Sequence, residues 1–298
     1  MSKPEIVAIA PLPAFFAKPL HENFTVHDLH GAADAEARRA LIAKIAPTTR
    51  GMVAFGGSQL APDQLAKFPH LEIISVFGVG YDGMPLAACA EAKVKVTNTP
   101  DVLNDEVADT AVALTLMTCR QFVGAHKFVE AGDWLKGQYP LTHSLWGKTV
   151  GIIGLGRIGK GIAERLAAHK MSVAYFGRNK QDVPYTYYGN LVEMAGDVDV
   201  LIAITPGGAA TKHLVNAAVL EALGPTGYFI NVARGSVVDQ DALVKAIEAG
   251  TIAGAGLDVF EAEPKVPEAL FNRRNVVLLP HVASATHETR QAMADLAV

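Results

Sequence analysis

The sequence predicts an α/β protein with two doubly wound parallel sheets. Short apolar, β-branched runs alternate with amphipathic helical patterns along the chain, which is typical of βαβ units. The chain has 298 residues and is 50% hydrophobic, enough to build two medium-sized domains with separate cores. A glycine-rich turn between a buried strand and a helix lies near the middle of the chain and separates two series of strands.

The first hundred residues contain the first series. Proline or a polar residue stands near the start of each helical pattern, as is usual at helix N-termini. The predicted strands are residues 6–9, 24–26, 51–55, 73–77 and 94–97, and the predicted helices are residues 34–45, 62–67 and 85–92.

A long helical pattern follows a turn at residues 97–100. Apolar residues recur at steps of three and four through Val107, Ala111, Leu114 and Met117. This spacing predicts one helix over residues 101–130.

The central turn has the spacing G-x-G-x-x-G. It follows an apolar strand at residues 149–153 and precedes helical periodicity at residues 161–169. The first glycine permits a sharp turn, the second removes a Cβ where a pyrophosphate approaches, and the third lets the helix pack on its strand. Free N–H groups at the helix start would hold the phosphates. The alternative is a glycine-rich turn with no ligand. The predicted dinucleotide contacts here are Gly154, Leu155, Gly156, Arg157, Ile158 and Gly159.

A second series of buried strands follows this turn. Ligands are expected at the carboxyl ends of such strands. The predicted strands are residues 173–176, 198–204, 227–232, 255–259 and 276–279, and helices are predicted at residues 241–249 and 284–298.

Charge and cysteine content exclude several kinds of partner. The formal net charge is −4 and the basic residues are scattered, so nucleic acid is not an expected partner. Cys89 and Cys119 lack metal-ligand spacing and lie in apolar helical patterns, which indicates buried free thiols and no metal site.

Hydropathy predicts a soluble, cytoplasmic protein. No uncharged apolar run reaches the roughly 18 residues that a membrane span needs. Near the N-terminus, Pro4, Glu5, Pro11 and Pro13 interrupt the apolar stretch where a signal peptide needs a continuous one.

Three polar residues follow successive predicted strands of the second series: Arg234, Glu263 and His281. An arginine can bind a carboxylate through two hydrogen bonds, a histidine can exchange a proton near neutral pH, and a carboxylate can orient that histidine. These are the requirements for hydride transfer to a 2-oxo acid. Each residue alone has a simpler interpretation, as a surface charge, a solvated loop acid or a satisfied core histidine. The combination of all three residues with a dinucleotide-binding fold favours the catalytic interpretation.

The chain also resembles the D-isomer-specific 2-hydroxyacid dehydrogenases over nearly its whole length. The motifs that carry the resemblance are FGVGYD (77–82), NTP (98–100), VAD (107–109), GKTVGIIGLGRIG (147–159), NVARG (231–235), LDVF (257–260) and PHVASAT (280–286).

The resemblance implies a role for each residue of the predicted site. Arg234 would bind and polarise the substrate, His281 would donate a proton to the carbonyl oxygen, and Glu263 would hydrogen-bond His281 to keep it protonated. The amides of Val79 and Gly80 would receive the substrate carboxylate. The remaining implied cofactor contacts are Asp258, Ser284 and His281 at the nicotinamide end, with Thr205, Pro206, Val232 and Ala233 lining the site.

The resemblance further implies a Rossmann cofactor domain inserted in a flavodoxin-like substrate domain. The cofactor domain would be residues 100–284, and the discontinuous substrate domain would be residues 1–99 plus 285–298. A homodimer is implied through the region after Asn98. Trp134 resembles a tryptophan that reaches the neighbouring subunit's pocket in such enzymes, and its alternative interpretation is a core or interface anchor.

The loop after the second strand of the cofactor domain predicts NADP(H). NAD-preferring domains place an acidic residue there, about 20 residues past the glycines. In this chain the loop contains Gly177, Arg178, Asn179 and Lys180, and the first carboxylate is Asp182. Arg178 can pair with a 2′-phosphate, and its neighbours can add hydrogen bonds or charge. The alternative is a solvated loop charge.

The expected reaction is NADPH-dependent reduction of a small 2-oxo acid to the D-2-hydroxy acid. Gly56 and Gly57 leave the loop after the third strand uncharged, which favours a short acid such as glyoxylate or hydroxypyruvate, the substrates of the reductases that the chain most resembles. A bulkier acid such as phenylpyruvate is the alternative, in a broad reductase.

Three other members of the superfamily fit the sequence less well. A phosphoglycerate dehydrogenase needs phosphate-binding cations that the loop lacks, and it carries a regulatory domain. A formate dehydrogenase has glutamine where Glu263 stands. A dinucleotide-sensing corepressor differs in having added interaction tails. The physiological substrate and direction stay open.

Overall fold

The structure, a computed structural model, describes residues 3–298 and contains two compact units. The first runs to Leu103 and also includes Ala285–Val298, and the second is Asn104–Ser284. The first boundary thus lies at Leu103, not at residue 99. Each unit is built on one entirely parallel sheet, which confirms the predicted fold class.

The strands and helices are numbered in chain order. The strands are β1 (Glu5–Ala8), β2 (Thr25–Asp28), β3 (Thr49–Phe55), β4 (Ile73–Phe77), β5 (Lys95–Thr97), β6 (Thr149–Ile153), β7 (Ser172–Phe176), β8 (Thr186–Tyr188), β9 (Val200–Ala203), β10 (Tyr228–Asn231), β11 (Gly254–Leu257) and β12 (Val276–Leu278). The α-helices are α1 (Ala14–Asn23), α2 (Ala35–Ile45), α3 (Pro62–Leu65), α4 (Leu86–Glu91), α5 (Asn104–Cys119), α6 (Phe122–Glu130), α7 (Arg157–Ala168), α8 (Leu191–Asp197), α9 (Ala217–Leu223), α10 (Gln240–Ala249) and α11 (His287–Ala297).

The first unit has the strand order β2-β1-β3-β4-β5, which is the flavodoxin-like order. Its central strands are buried because their apolar side chains pack under helices on the sheet, for example Val7, Met52 and Ile74. The C-terminal helix α11 joins this sheet, and the hydroxyl of Ser75 in β4 donates a hydrogen bond to the carbonyl of Ala297 at 2.9 Å.

The second unit has the strand order β12-β11-β10-β9-β6-β7-β8. Counted from β6, the first strand of this sheet, the order is 3-2-1-4-5-6, as in doubly wound dinucleotide-binding domains, with one further strand at the edge. The reversal of strand order falls between β6 and β9, where ligands are expected at the carboxyl ends of the strands. Residues 3–298 contain no helix long and apolar enough to cross a bilayer.

One predicted helix is wrong. The pattern at residues 101–130 forms two helices, α5 and α6, which are separated at Arg120 and Gln121. Gln121 has a left-handed backbone with φ +50° and ends the regular hydrogen bonding that the apolar spacing suggested. Periodicity reports which side chains face a core, and it does not detect a single left-handed residue between two helical segments.

Other elements were not predicted or were predicted with different ends. Helix α1 carries Pro19 inside and has no side-chain cap at its start, so its sequence lacks the usual helix signals. The edge strand β8 has only three residues. Helix α7 begins at Arg157, directly after Gly156, and α11 begins at His287 with Thr286 as its N-cap.

Candidate active site

The glycine turn has the geometry that its spacing predicts. Gly154 has φ +102°, a conformation that side chains rarely adopt, and it ends the buried strand β6. A Cβ on Gly159 would lie 2.2 Å from the carbonyl oxygen of Gly154, so helix α7 can approach the turn only because residue 159 lacks a side chain. The turn therefore places the N-terminus of α7 at the edge of the sheet where the strands have their carboxyl ends.

The N-terminus of α7 is open to an anion. Gly156 is its N-cap residue and provides no side-chain cap, and a Cβ there would meet no atom within 4 Å. The first amides of an α-helix lie beyond its regular hydrogen bonding, and in α7 they begin at Arg157, Ile158 and Gly159. Open space in front of these amides fits the pyrophosphate of a dinucleotide. The side chain of Leu155 is buried, so only its main chain faces this site.

The loop after β7 presents polar side chains to solvent. Arg178, Asn179 and Lys180 are all exposed, and Gly177 before them is half-buried. A 2′-phosphate fits this loop because its three exposed side chains include two cations and no carboxylate.

The other predicted cofactor contacts also follow strands of the second unit. Thr205 is half-buried and Pro206 exposed after β9, Val232 and Ala233 are buried after β10, and Ser284 is half-buried after β12. They therefore line the same edge of the sheet as the glycine turn. Val232 and Ala233 can offer mainly main-chain groups, because their side chains belong to the buried core.

Arg234 is placed by a buried asparagine at the end of β10. The side chain of Asn231 is fully buried, accepts a hydrogen bond from the amide of Ala233 at 3.0 Å and donates one to the carbonyl of Arg234 at 3.1 Å. Gly235 then packs against the next loop so closely that a Cβ would lie 1.9 Å from the carbonyl carbon of Phe260. The loop that carries Arg234 and the loop that carries Glu263 are thus in main-chain contact.

Glu263 and His281 are joined by a hydrogen bond between their side chains. The Oε2 atom of Glu263 lies 2.8 Å from Nδ1 of His281, and its Oε1 atom accepts a hydrogen bond from the amide of Phe260 at 3.0 Å. Burial raises the pKa of Glu263, but the hydrogen bonds from His281 and Phe260 and the nearby charges of His281 and Arg234 outweigh it, so the pKa is lowered from 4.5. The carboxylate is therefore ionised at neutral pH, and its bond to Nδ1 leaves Nε2 of His281 outside this pair.

Asp258 holds the backbone that carries His281. It follows β11 and is 1% exposed. One carboxylate oxygen accepts the amide of Val282 at 2.8 Å, and the other accepts the amide of Ala283 at 3.0 Å. His281 itself has φ +55°, and its amide donates to the carbonyl of Asp258 at 2.8 Å. Burial raises the pKa of Asp258 above 3.8, although these two amides act in the opposite direction.

The structure therefore brings Arg234, Glu263 and His281 to one edge of one sheet. They follow β10, β11 and β12, which are neighbouring strands, and the charge of Arg234 acts on Glu263. The anchors Asn231 and Asp258 hold this arrangement. Sequence reasoning did not predict Asn231, and it predicted Asp258 as a cofactor contact without its role under His281.

Val79 and Gly80 lie in the first unit, in the loop after β4. This loop is fixed from β5: the side chain of Asn98 donates to the carbonyl of Val79 at 2.9 Å, and the hydroxyl of Thr99 accepts the amide of Gly78 at 3.1 Å. These bonds explain the polar motif at residues 98–100, whose function the sequence alone did not indicate. That the amides of Val79 and Gly80 bind the same substrate as Arg234 stays a prediction.

Two further predicted features can be located. Trp134 lies in a short 3-10 helix, Asp133–Leu135, and is 67% exposed, so it is not a core anchor of this chain. Cys89 and Cys119 are buried free thiols, as predicted. Within residues 3–298, no three His, Cys, Asp or Glu side chains cluster as they would around a metal ion.

Comparisons with known proteins show which family the chain belongs to. A family model described as the NAD-binding domain of D-isomer-specific 2-hydroxyacid dehydrogenases matches residues 112–283. The chain is 44% identical to a hydroxyphenylpyruvate reductase of Plectranthus scutellarioides, with 98% of this chain and 93% of the relative covered. It is 40% identical to a glyoxylate/hydroxypyruvate reductase of Arabidopsis thaliana, with the same coverage.

A solved structure is similar over the whole chain. It is an NADPH-dependent glyoxylate/hydroxypyruvate reductase of Sinorhizobium meliloti in complex with NADP and malonate, with a TM-score of 0.93, 48% identity, and coverage of 99% of this chain and 92% of that chain. The glycine turn, the Arg234, Glu263 and His281 site and these matches lead to one conclusion: the chain belongs to the D-isomer-specific 2-hydroxyacid dehydrogenases, a family of NAD-binding oxidoreductases.

Proposed function

We propose that this protein reduces glyoxylate and hydroxypyruvate to the corresponding hydroxy acids with NADPH, forming the D-isomer where the product is chiral. The observation that carries this proposal is the 2.8 Å pair of Glu263 and His281 beside Arg234, on the sheet edge that also presents the glycine turn. The similarity to reductases with these substrates supports the choice of acid.

Each side chain of the site has a distinct task in this reaction. Arg234 binds the 2-oxo acid and draws electron density toward its oxygens, because a guanidinium offers paired N–H donors. Glu263 accepts the Nδ1–H of His281 and fixes the orientation of the ring. His281 donates the proton on Nε2 to the carbonyl oxygen of the substrate as that oxygen becomes a hydroxyl. When bound, NADPH supplies the hydride that reduces C2.

A test of this mechanism separates catalysis from cofactor binding. Arg234→Ala and His281→Ala should each lose most of the turnover of glyoxylate while the Kd for NADPH, measured by fluorescence titration, stays within about threefold of the original, because neither residue binds the phosphates. Near-normal turnover in either variant would contradict the assigned roles.

The preference for NADPH is proposed from Arg178, Asn179 and Lys180. Arg178→Ala should raise the KM for NADPH about tenfold, the equivalent of one charge-assisted hydrogen bond of about 1.5 kcal/mol. The KM for NADH should change less than about twofold, because NADH lacks the 2′-phosphate. Arg38→Ala, which removes an exposed arginine of the first unit, is the control. An unmodified protein with a higher kcat/KM for NADH than for NADPH would contradict the proposal.

A second candidate function is reduction of an aromatic 2-oxo acid such as phenylpyruvate. The first unit contains a cavity of about 690 Å³ that Phe15, Phe55 and Phe77 line on one side. The ring centroids of Phe55 and Phe77 are 5.1 Å apart, and Phe77 directly precedes the loop with Val79 and Gly80. Phe15 is 37% exposed, so a flat aromatic side chain could stack on its ring. The similarity to a hydroxyphenylpyruvate reductase supports this candidate.

A substrate panel distinguishes the two candidates. Glyoxylate, hydroxypyruvate and phenylpyruvate are compared by kcat/KM at saturating NADPH, in the original protein and in Phe15→Ala. A broad reductase should lose about fivefold in kcat/KM for phenylpyruvate in this variant, in the range of one aromatic contact, with glyoxylate unchanged. Absence of turnover with all three acids would favour a dinucleotide-sensing role.

The proposed assembly is a homodimer formed through the segment around α6. Apolar side chains there are exposed, namely Phe122, Val129, Trp134, Leu135, Leu141 and Trp146, with Leu141 fully accessible. Large apolar side chains exposed along one segment favour an interface between subunits. Light scattering after size exclusion should report a dimer, and Trp134→Ala combined with Leu135→Ala should shift it toward monomer. A cytoplasmic location stays a prediction, which the two free thiols support.

A further inference from the structure

The loop after β7 is attached to the rest of the unit by a residue outside the predicted cofactor contacts. Gln181 directly follows Lys180. Its main-chain N–H donates to the hydroxyl oxygen of Tyr175 at 2.6 Å, and its side-chain Nε2 donates to the carbonyl oxygen of Leu155 at 2.8 Å. Leu155 lies in the glycine turn, between Gly154 and Gly156. Gln181 therefore joins the loop with Arg178 to the turn at the start of α7.

The other end of the loop is also anchored. The hydroxyl of Tyr187 in β8 donates to the carbonyl of Gly177 at 3.3 Å. Tyr175 is fully buried in β7, and the centroids of the two tyrosine rings are 5.3 Å apart. Two tyrosines of neighbouring strands thus hold Gly177 and Gln181, and the three exposed polar residues lie between these anchors.

We propose that Gln181 is a positioning residue that sets the selectivity for NADPH over NADH. The inference rests on the proposed function, since it assumes that the second unit binds NADPH. The 2′-phosphate and the pyrophosphate are attached to the same ribose, so the groups that bind them must keep a constant separation. The hydrogen bond from Gln181 to Leu155 is a direct side-chain link between those two groups.

This link acts on the cost of binding. Arg178 and Lys180 have long side chains, and ordering them together with a mobile loop costs conformational entropy. A loop that is already held needs less ordering when the phosphate arrives, so the affinity increases. NADH has no phosphate to place in this loop, and it therefore gains nothing from Gln181.

The test compares Gln181→Ala with a matched control, Gln138→Ala, which makes the same change at an exposed glutamine of the same unit. The ratio of kcat/KM for NADPH to that for NADH should fall about tenfold in Gln181→Ala, through the KM for NADPH, with kcat within about twofold. The control should keep the original ratio. Tyr175→Phe, which removes the hydroxyl that holds the Gln181 amide and keeps the ring, should lower the ratio in the same direction.

A binding measurement gives a readout that does not depend on catalysis. Isothermal titration with adenosine 2′,5′-bisphosphate should show an increase of about tenfold in Kd for Gln181→Ala, whereas the Kd for adenosine 5′-monophosphate should stay the same. A residue that only stabilised the fold would change both constants or neither.

The failure of this inference can be told apart from failure of the proposed function. If the original protein prefers NADH, the proposed cofactor selectivity is wrong and the inference falls with it. If the original protein prefers NADPH but Gln181→Ala and Tyr175→Phe keep both its ratio and its two dissociation constants, only the role of Gln181 is wrong. If Gln181→Ala is unfolded by circular dichroism, Tyr175→Phe decides.

Discussion

Replacing Glu263 by glutamine tests the central pair of the site with the smallest change in shape. The carboxylate accepts two N–H groups, one from Phe260 and one from Nδ1 of His281. Glutamine has only one acceptor oxygen on its side chain. The amide of Phe260 cannot reverse its role, so the glutamine oxygen should turn toward it and the glutamine NH₂ toward His281. The imidazole then accepts at Nδ1 and no longer has a carboxylate as its partner.

The expected loss follows from the geometry. A hydrogen bond to a charged group contributes about 1.5–3 kcal/mol. The side chains of Glu263 and His281 are 36% and 42% exposed, so solvent weakens the pair and we use the lower value. About 1.5 kcal/mol corresponds to about a tenfold fall in kcat/KM for glyoxylate at neutral pH. The pH profile of kcat/KM is recorded as well, because the ring must be protonated to act as a donor.

The assay is steady-state oxidation of NADPH between pH 5 and pH 9. Glu261→Gln is the matched control, since Glu261 also pairs with a histidine, His213, at 3.1 Å. The control should keep its activity and its pH profile within about twofold, because that pair supplies no proton to the substrate. If Glu263→Gln retains the original kcat/KM and the original profile, the pairing of Glu263 with His281 has no part in proton transfer.

Three further predictions concern stability and reactivity. Gly235→Ala should lower the free energy of unfolding in urea by about 3 kcal/mol, because the added Cβ collides with the main chain of Phe260. Gly137→Ala, which adds a Cβ in open space, should change it by less than about 1 kcal/mol. Equal effects would contradict the close packing of Gly235 on Phe260. Burial raises the pKa of Cys119 to about 12 and also raises the pKa of Cys89. Iodoacetamide at pH 8 should therefore modify neither thiol before the protein unfolds. Rapid modification of the native protein would show that the thiols are accessible and reactive. The pKa of Glu263 is lowered from 4.5, so the stability that its charge contributes is present above pH 4.5 and is lost as pH falls through the lowered pKa. The difference in unfolding free energy between the original protein and Glu263→Gln should therefore shrink below pH 4.5. A difference that grows there would contradict the assignment.

The sequence predicted the strands and the site better than the connections. Buried parallel strands have continuous apolar runs, and residues that follow such strands share one edge of the sheet, which is why Arg234, Glu263 and His281 could be grouped. Gln121, by contrast, divides α5 from α6 through one backbone angle, and nothing in its chemistry indicates that angle. Helix α1 has no side-chain cap and contains Pro19, so its sequence does not indicate a helix and its formation depends on tertiary packing.

The residues that hold the loops of the site could not be predicted for a related reason. Asn231, Gln181 and Asn98 hold loops through hydrogen bonds to main-chain carbonyls, and any main chain offers such carbonyls. A side chain that bonds to main-chain atoms has no chemical partner that a linear sequence could reveal. These roles became visible only when the folded positions of the loops were known.

The left-handed backbone at His281 limits which residues can stand there. At φ +55° a β-branched side chain is strained, whereas asparagine, aspartate and histidine are tolerated several times more often than other residues. Asparagine is therefore the substitution that deletes the acid–base group and leaves the path of the main chain unchanged. Valine would remove the acid–base group and also strain the backbone. The shape of the chain at this position thus restricts the choice of proton donor before any reaction takes place.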